Sequence, residues 1–173
     1  MNDALAPLTL ARPSIFLRGG DDNSTPPGNP QNANGNGSRN GNGSMTVREG
    51  VMDTLLDYCQ FVDEKRIHEF AELFTEDCYF DEGKVYEGRP AVFKVVSRMV
   101  AGFSRMSHHL SNSRVWSTGP GQAEALSYIY AWHERNDGTQ FEIWGRYLDV
   151  LEDQGDRWRF RRRIVQAQGF KGL

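Results

Sequence analysis

The sequence predicts an α+β fold in which three helices come first and a strongly curved antiparallel sheet then folds over them around a conical cavity. Three observations predict it. Apolar residues recur at helical spacing from Val47 onward, and beyond Phe103 the pattern changes to long period-two strands. The strands are separated by Gly119-Pro120-Gly121, Asn136-Asp137-Gly138 and Gln154-Gly155-Asp156, sequences suited to tight hairpins. Helices gathered ahead of a run of strands place the helical layer on one face of a sheet. A sheet curved over helices leaves a concave, mostly apolar space, the usual setting of a small-molecule site.

Taken in order, Val51, Leu55, Tyr58 and Val62 form one face of a first helix spanning about Val47 to Asp63. Ile67, Phe70, Ala71 and Phe74 predict a second helix from Lys65 to Phe74, and Cys78 to Asp81 and Val85 to Glu87 predict a short strand pair. Gly88-Arg89-Pro90 opens a third helix with proline in its first turn, and Val92, Val95, Val96, Met99 and Phe103 form its apolar face. Four strands follow: His108 to Ser117, Ala123 to Arg135, Phe141 to Leu151 and Trp158 to Gln168. Their Tyr, Ile, Val and Trp content suits a pleated surface.

The first 44 residues are predicted to lie outside this domain as a disordered tail. Asp21 to Ser44 is a run of Asn, Gly, Ser and Pro that offers little apolar surface to offset the entropy of ordering it. The domain therefore spans residues 45–173, and Met45 reads as a possible alternative start. Among 173 residues the formal charge is −3, and that mild acidity argues against nucleic-acid binding. The basic cluster Arg157 to Arg163, interleaved with Trp158 and Phe160, reads as the solvated face of the last strand. No apolar run is long enough for a membrane span, and the N-terminus lacks the pattern of a signal peptide. Cys59 and Cys78 fall on apolar faces, as reduced core residues of a cytoplasmic protein do.

Chemistry centres on the adjacent His108 and His109. Strand alternation sends them to opposite faces, so only one of them can join a pocket. His133 shares a face with Ala125, Ser127, Ile129 and Ala131, small neighbours that leave room for a pocket-lining acid; the alternative is a surface histidine at the mouth of the hairpin. Tyr58 is either a core tyrosine or a hydroxyl presented to a substrate carbonyl. Trp144 and Arg146 share a face of the third long strand, where they either bind a polar substrate group or stack as a structural pair. No ligand-spacing motif supports a metal, and no Gly-x-Ser-x-Gly elbow supports a nucleophilic serine.

Tyr58 to Asp63, Leu73-Phe74-Thr75-Glu76-Asp77, Tyr86-Glu87-Gly88-Arg89, His109-Leu110-Ser111-Asn112, Trp144-Gly145-Arg146-Tyr147 and Trp158-Arg159-Phe160, in that order, resemble the SnoaL-like group of the nuclear transport factor 2-like superfamily. The resemblance implies a cone-shaped α+β barrel, a homodimer through the sheet, and a pocket used by scytalone dehydratase, dehydrochlorinases, polyketide cyclases and ketosteroid isomerases. It matches Asp63 and His109 to the aspartate and histidine of a catalytic dyad. It thereby implies a cofactor-independent lyase or isomerase, foremost a dehydratase of a small cyclic or polyketide-like hydroxy-carbonyl compound. His109 would be the base, Asp63 its orienter, Tyr58 a carbonyl polariser and His133 an acid, with Trp144, Arg146 and Asn112 binding substrate. Two positions depart from the scytalone dehydratase pattern: Val62 replaces a tyrosine, and Arg146 stands where a second histidine is expected. A polyketide cyclase, or a non-catalytic binding or assembly module like the small subunit of a ring-hydroxylating dioxygenase, is the alternative.

Overall fold

A computed structural model of the chain describes residues 45–172; the expectation of a disordered tail concerns residues outside that range. Helix α1 covers Val47–Asp63. Thr46 starts it with a capping box: its hydroxyl accepts from the Glu49 N–H at 3.2 Å, while the Glu49 carboxylate accepts from the Thr46 N–H at 2.8 Å. The predicted stripe of Val51, Leu55, Tyr58 and Val62 is buried, together with Thr54, Cys59 and Phe61. Thr54 donates its hydroxyl proton to the Trp158 carbonyl at 2.7 Å and so ties the helix to the last strand.

Helix α2 covers only Ile67–Ala71, shorter than its apolar periodicity predicts. Phe74, read as its last apolar contact, belongs instead to the sheet: strand β1 covers Phe74–Asp81, and Phe74 pairs with Phe160. Strand β2 covers Val85–Glu87 and helix α3 covers Arg89–Val100. Gly88 caps α3 at φ 80°, a conformation a Cβ would strain. The helix buries Val92, Val96 and Val100, whereas Met99, assigned to the inner face from sequence, is 36% exposed. Strands β3 (Phe103–Gly119), β4 (Gln122–Arg135), β5 (Gln140–Asp153) and β6 (Trp158–Lys171) all extend beyond their predicted bounds.

The six strands form one curved, unclosed sheet in the order β2-β1-β6-β5-β4-β3. The meander from β3 to β6 is antiparallel as expected; β1 joins β6 in parallel, a pairing the sequence pattern did not show. Helices and concave face meet around Leu55, Phe70, Leu73, Phe74, Phe80 and Phe160, all 1% exposed or less. Cys59 and Cys78 are buried, unpaired thiols in this core.

Two irregularities decide which side chains reach the interior. On β3 the pairing runs to Ser111–Tyr128 and resumes at Arg114–Leu126, so two residues oppose Ser127 alone; Asn112 sits there at φ 50°. On β6, Phe160 pairs with Leu151 and Arg162 with Val150, which leaves Arg161 as the extra residue. Each extra residue reverses the inward and outward parity of the strand beyond it.

The sheet is also tight at Gly145, where a Cβ would overlap the Gln166 backbone. Backbone cannot rotate away as a side chain can. Gly145→Ala is therefore expected to cost about 1–3 kcal/mol of unfolding free energy, read from the shift of a urea transition. A change under a few tenths of a kcal/mol would refute the steric account.

Candidate functional site

Asp63 is the last residue of α1, where the negative end of the helix dipole disfavours a carboxylate. Strand β3 supplies the compensation. The backbone N–H of His108 donates to Asp63 Oδ2 at 2.8 Å, and His108 Nδ1 lies 2.6 Å from Oδ1. A carboxylate can only accept, so Nδ1 carries a proton, and in the neutral form of the ring the lone pair is on Nε2. The pair is half-buried, with side-chain exposures of 11% for His108 and 23% for Asp63.

The partner of Asp63 is therefore His108, and the expected pairing with His109 is corrected. The imidazole of His109 is on the opposite face, exposed, 3.0 Å from the Ser107 hydroxyl and tilted against Tyr130. The cause is the bulge at Asn112. Counted back from Val115, which packs on the core, strict alternation would bring His109 inward; the extra residue brings Leu110, His108 and Met106 inward instead.

Of the two places left open for it, His133 takes the concave face, and Ala125, Ser127, Ile129 and Ala131 are buried beside it. Its ring stacks on Phe141 at 4.6 Å and 6° and meets the His108 ring edge-on at 5.1 Å and 89°. Burial, and then the nearby His108, push its pKa down to about 4. At neutral pH His133 is thus uncharged, and the expected acid role cannot start from an imidazolium. Its Nδ1 has no hydrogen-bond partner among the described residues.

Stability should follow this depressed pKa. Between the unfolded value near 6.5 and the folded value near 4 the unfolded chain binds the extra proton, so stability rises with pH. The contribution is complete above pH 6.5 and is lost as pH falls toward 4, an effect of roughly 3 kcal/mol. Urea midpoints measured across this window should fall steadily on acidification, and His133→Gln should flatten that slope. An unchanged slope in the variant would show that His133 is not the group responsible.

Deeper in the concave face lies an arrangement that sequence reasoning missed. Arg163, read as part of a solvated cluster, is fully buried, as is the side chain of Asp149; Nε and Nη2 donate to the two Asp149 oxygens at 2.7 and 2.8 Å. The guanidinium lies 3.9 Å from the Tyr58 and Phe160 ring centroids and 4.2 Å from that of Tyr147. Desolvation opposes the Arg163 charge, but the Asp149 carboxylate outweighs it and keeps the guanidinium protonated. Desolvation likewise pushes the Asp149 and Tyr58 groups up, against the pull of Arg163. From Trp158 and Phe160 inward, alternation points Arg162 at the core; the bulge at Arg161 substitutes Arg163, and no composition signal reveals that. The rest of the cluster is partly buried rather than freely solvated, with Arg157, Arg159 and Arg161 in ion pairs with Asp57, Asp156 and Asp77. At the turn after β1, burial and then Asp81 push the Glu82 carboxyl up to about 7.

Trp144, Arg146 and Asn112 do not join the Asp63–His108 pair. Trp144 is 42% exposed over Gly169 on the outer face, and Arg146 donates there to Gln166 at 3.2 Å. Both alternate with the inward Tyr147, so the substrate-binding expectation for them is corrected by strand parity. Asn112 lines an outer-face hollow of about 540 Å³ with Arg114, Leu126 and Tyr128. Another hollow, of about 270 Å³, lies between His68 and Phe93. Among the described residues no group of three or more His, Cys, Asp or Glu side chains is placed to hold a metal, and no helix is long and apolar enough to cross a membrane.

Residues 43–164 match the family described as the SnoaL-like domain. Solved structures share the fold. A protein provisionally named a scytalone dehydratase, from Novosphingobium aromaticivorans, superposes with a TM-score of 0.69 at 24% identity over 73% of this chain and 87% of its own. A provisionally named aromatic ring hydroxylase from the same organism gives 0.69 at 22% identity, covering 73% and 92%. A hexachlorocyclohexane dehydrochlorinase from Novosphingobium barchaimii gives 0.66 at 16% identity, covering 73% and 89%. At these identities the likeness establishes architecture. No functionally curated protein matches the sequence.

Proposed function

The chain belongs to the SnoaL-like domain family, and from that premise we propose that it is a cofactor-independent lyase or isomerase, foremost a dehydratase of a small cyclic or polyketide-like hydroxy-carbonyl compound. The observation that carries this reading is the Asp63–His108 pair. Asp63 holds Nδ1–H, fixes the tautomer and stabilises the imidazolium; His108 Nε2 removes a proton from the carbon next to a carbonyl. The electron pair then expels hydroxide from the β-carbon, and the proton held on His108 leaves with it as water. Supporting this reading, His133 is neutral and fixed by Phe141 beside the base, so it adds no competing charge to His108.

The test is a panel of cyclic β-hydroxy ketones incubated with the protein in deuterated water and followed by NMR. Exchange of the α-proton, followed by loss of water, is expected for at least one ring size. An absence of exchange across the panel would overturn the reading.

A second copy of the chain is the expected partner of the outer sheet face, where Trp116, Tyr128, Tyr130 and Trp144 are 37–44% exposed. Sedimentation at micromolar concentration should give a dimer, and Trp144→Arg should shift it to monomer. A wild-type monomer would remove the sheet-mediated pairing.

A further inference from the structure

We propose that the hollow at the β3 bulge is a second binding site, on the outer face of the sheet, and that its guest is a small monocarboxylate with a flat apolar body, of the aromatic-acid class. None of its lining residues belongs to the Asp63–His108 pair, so it stands or falls separately from the lyase reading.

Register explains why there is a hollow. Ser111 pairs with Tyr128 and Arg114 with Leu126, so Asn112 and Ser113 together oppose Ser127. An inserted residue bends its strand, breaks the ladder locally and re-aims the side chains beside it. The bend borders a space of about 540 Å³ lined by Asn112, Ser113, Arg114, Leu126 and Tyr128. That size is typical of sites for small organic molecules. Strand β3 is the edge of the sheet, so no further strand covers the hollow from that side.

The lining divides by chemistry, and the division selects the guest. Leu126 and the Tyr128 ring, which is 37% exposed, supply apolar surface. Arg114 is exposed and enters no ion pair among the described residues. No carboxylate among the described residues lines the hollow. Glu124 is the closest by register, opposite Trp116, and it forms no ion pair with Arg114. Arg146, opposite Tyr128 on β5, brings a second guanidinium without a carboxylate partner, and its Nε is buried with no acceptor among the described residues. The open charge therefore suits an anion, and a planar carboxylate matches the guanidinium fork. The Asn112 amide and the Ser113 hydroxyl add neutral donors at the same wall. An inorganic ion would leave the apolar half unused, and a neutral arene would leave the guanidinium unmatched. Tyr128 also belongs to the patch offered to a second copy, so the hollow has to stay open at the margin of that contact.

The test is benzoate binding to the full chain, followed by calorimetry and by amide NMR shifts at about 0.15 M salt, where long-range attraction is largely screened. Benzoate should bind once per chain and move the resonances of Ser113, Arg114 and Tyr128 rather than those of His108 and His133. Benzamide, its uncharged analogue, should bind at least about tenfold more weakly. Arg114→Gln should weaken benzoate by a similar factor. Arg48→Gln removes the same charge from the exposed start of α1 and should leave binding unchanged. Both arginines are exposed, so neither variant threatens the fold. Benzamide binding as tightly as benzoate, full affinity in Arg114→Gln, an equal loss in the two variants, or shifts confined to the concave face would each overturn the proposal. So would an absence of binding, including one caused by a second copy seated over the hollow.

Discussion

Replacing His108 with alanine is expected to lower turnover of any competent hydroxy ketone by about 10²–10⁴-fold, while His109→Ala leaves it within about twofold. The contrast follows from one hydrogen-bond pattern. Asp63 accepts both the ring N–H and the backbone N–H of His108, and it makes no contact with the exposed ring of His109. The backbone bond survives the substitution, so the end of α1 stays anchored and circular dichroism should be unchanged. Asp63→Asn should produce a smaller loss than His108→Ala: the amide can still accept from Nδ1–H but no longer stabilises the imidazolium. A loss of activity in His109→Ala equal to that in His108→Ala would remove the assignment, because no interior path connects His109 to Asp63.

Asp149→Ala should be the most destabilising single substitution in the interior, at about 3–5 kcal/mol. It strands a guanidinium that has no exposure and, among the described residues, no other carboxylate paired with it. Against a typical domain stability of about 5–15 kcal/mol, that loss removes a large part of the total. Replacing both partners, Arg163→Met with Asp149→Leu, removes the charges together and should recover most of the stability in urea melts with an unchanged m-value. If the single and double variants are equally destabilised, the cost lies in lost packing around Tyr58 and Phe160 rather than in the stranded charge.

Fold class and element order were legible because they depend on periodicity. The stripe on α1, the proline opening α3 and the hairpin turns each carry a local signal, and all of them stand in the structure. The site was legible only in part. The choices left open at Tyr58 and His133 both fall to the interior, since α1 has no break and β4 keeps strict alternation through His133. Strand alternation assigned Arg163 to the outer face, and the resemblance matched His109 in place of His108. Each lies on a strand with an inserted residue, at Asn112 or at Arg161, and alternation carried across the insertion gives the opposite answer. Asn112, with φ 50°, is the only local hint, since asparagine tolerates that conformation better than most residues. Arg161 carries none; its position shows only in the pairing with β5.

The insertion on β3 also gives the tandem histidines a second meaning. If the bulge were drawn into the ladder with every residue kept, strict alternation would return and the segment before it would slide by one residue against β4. In most strands such a slip erases whatever chemistry faced inward. Here it would exchange one imidazole for the other opposite the carboxylate, because both neighbours are histidine. The doublet makes the strand tolerant to a one-residue slip at the bulge, a form of redundancy written into register rather than into structure.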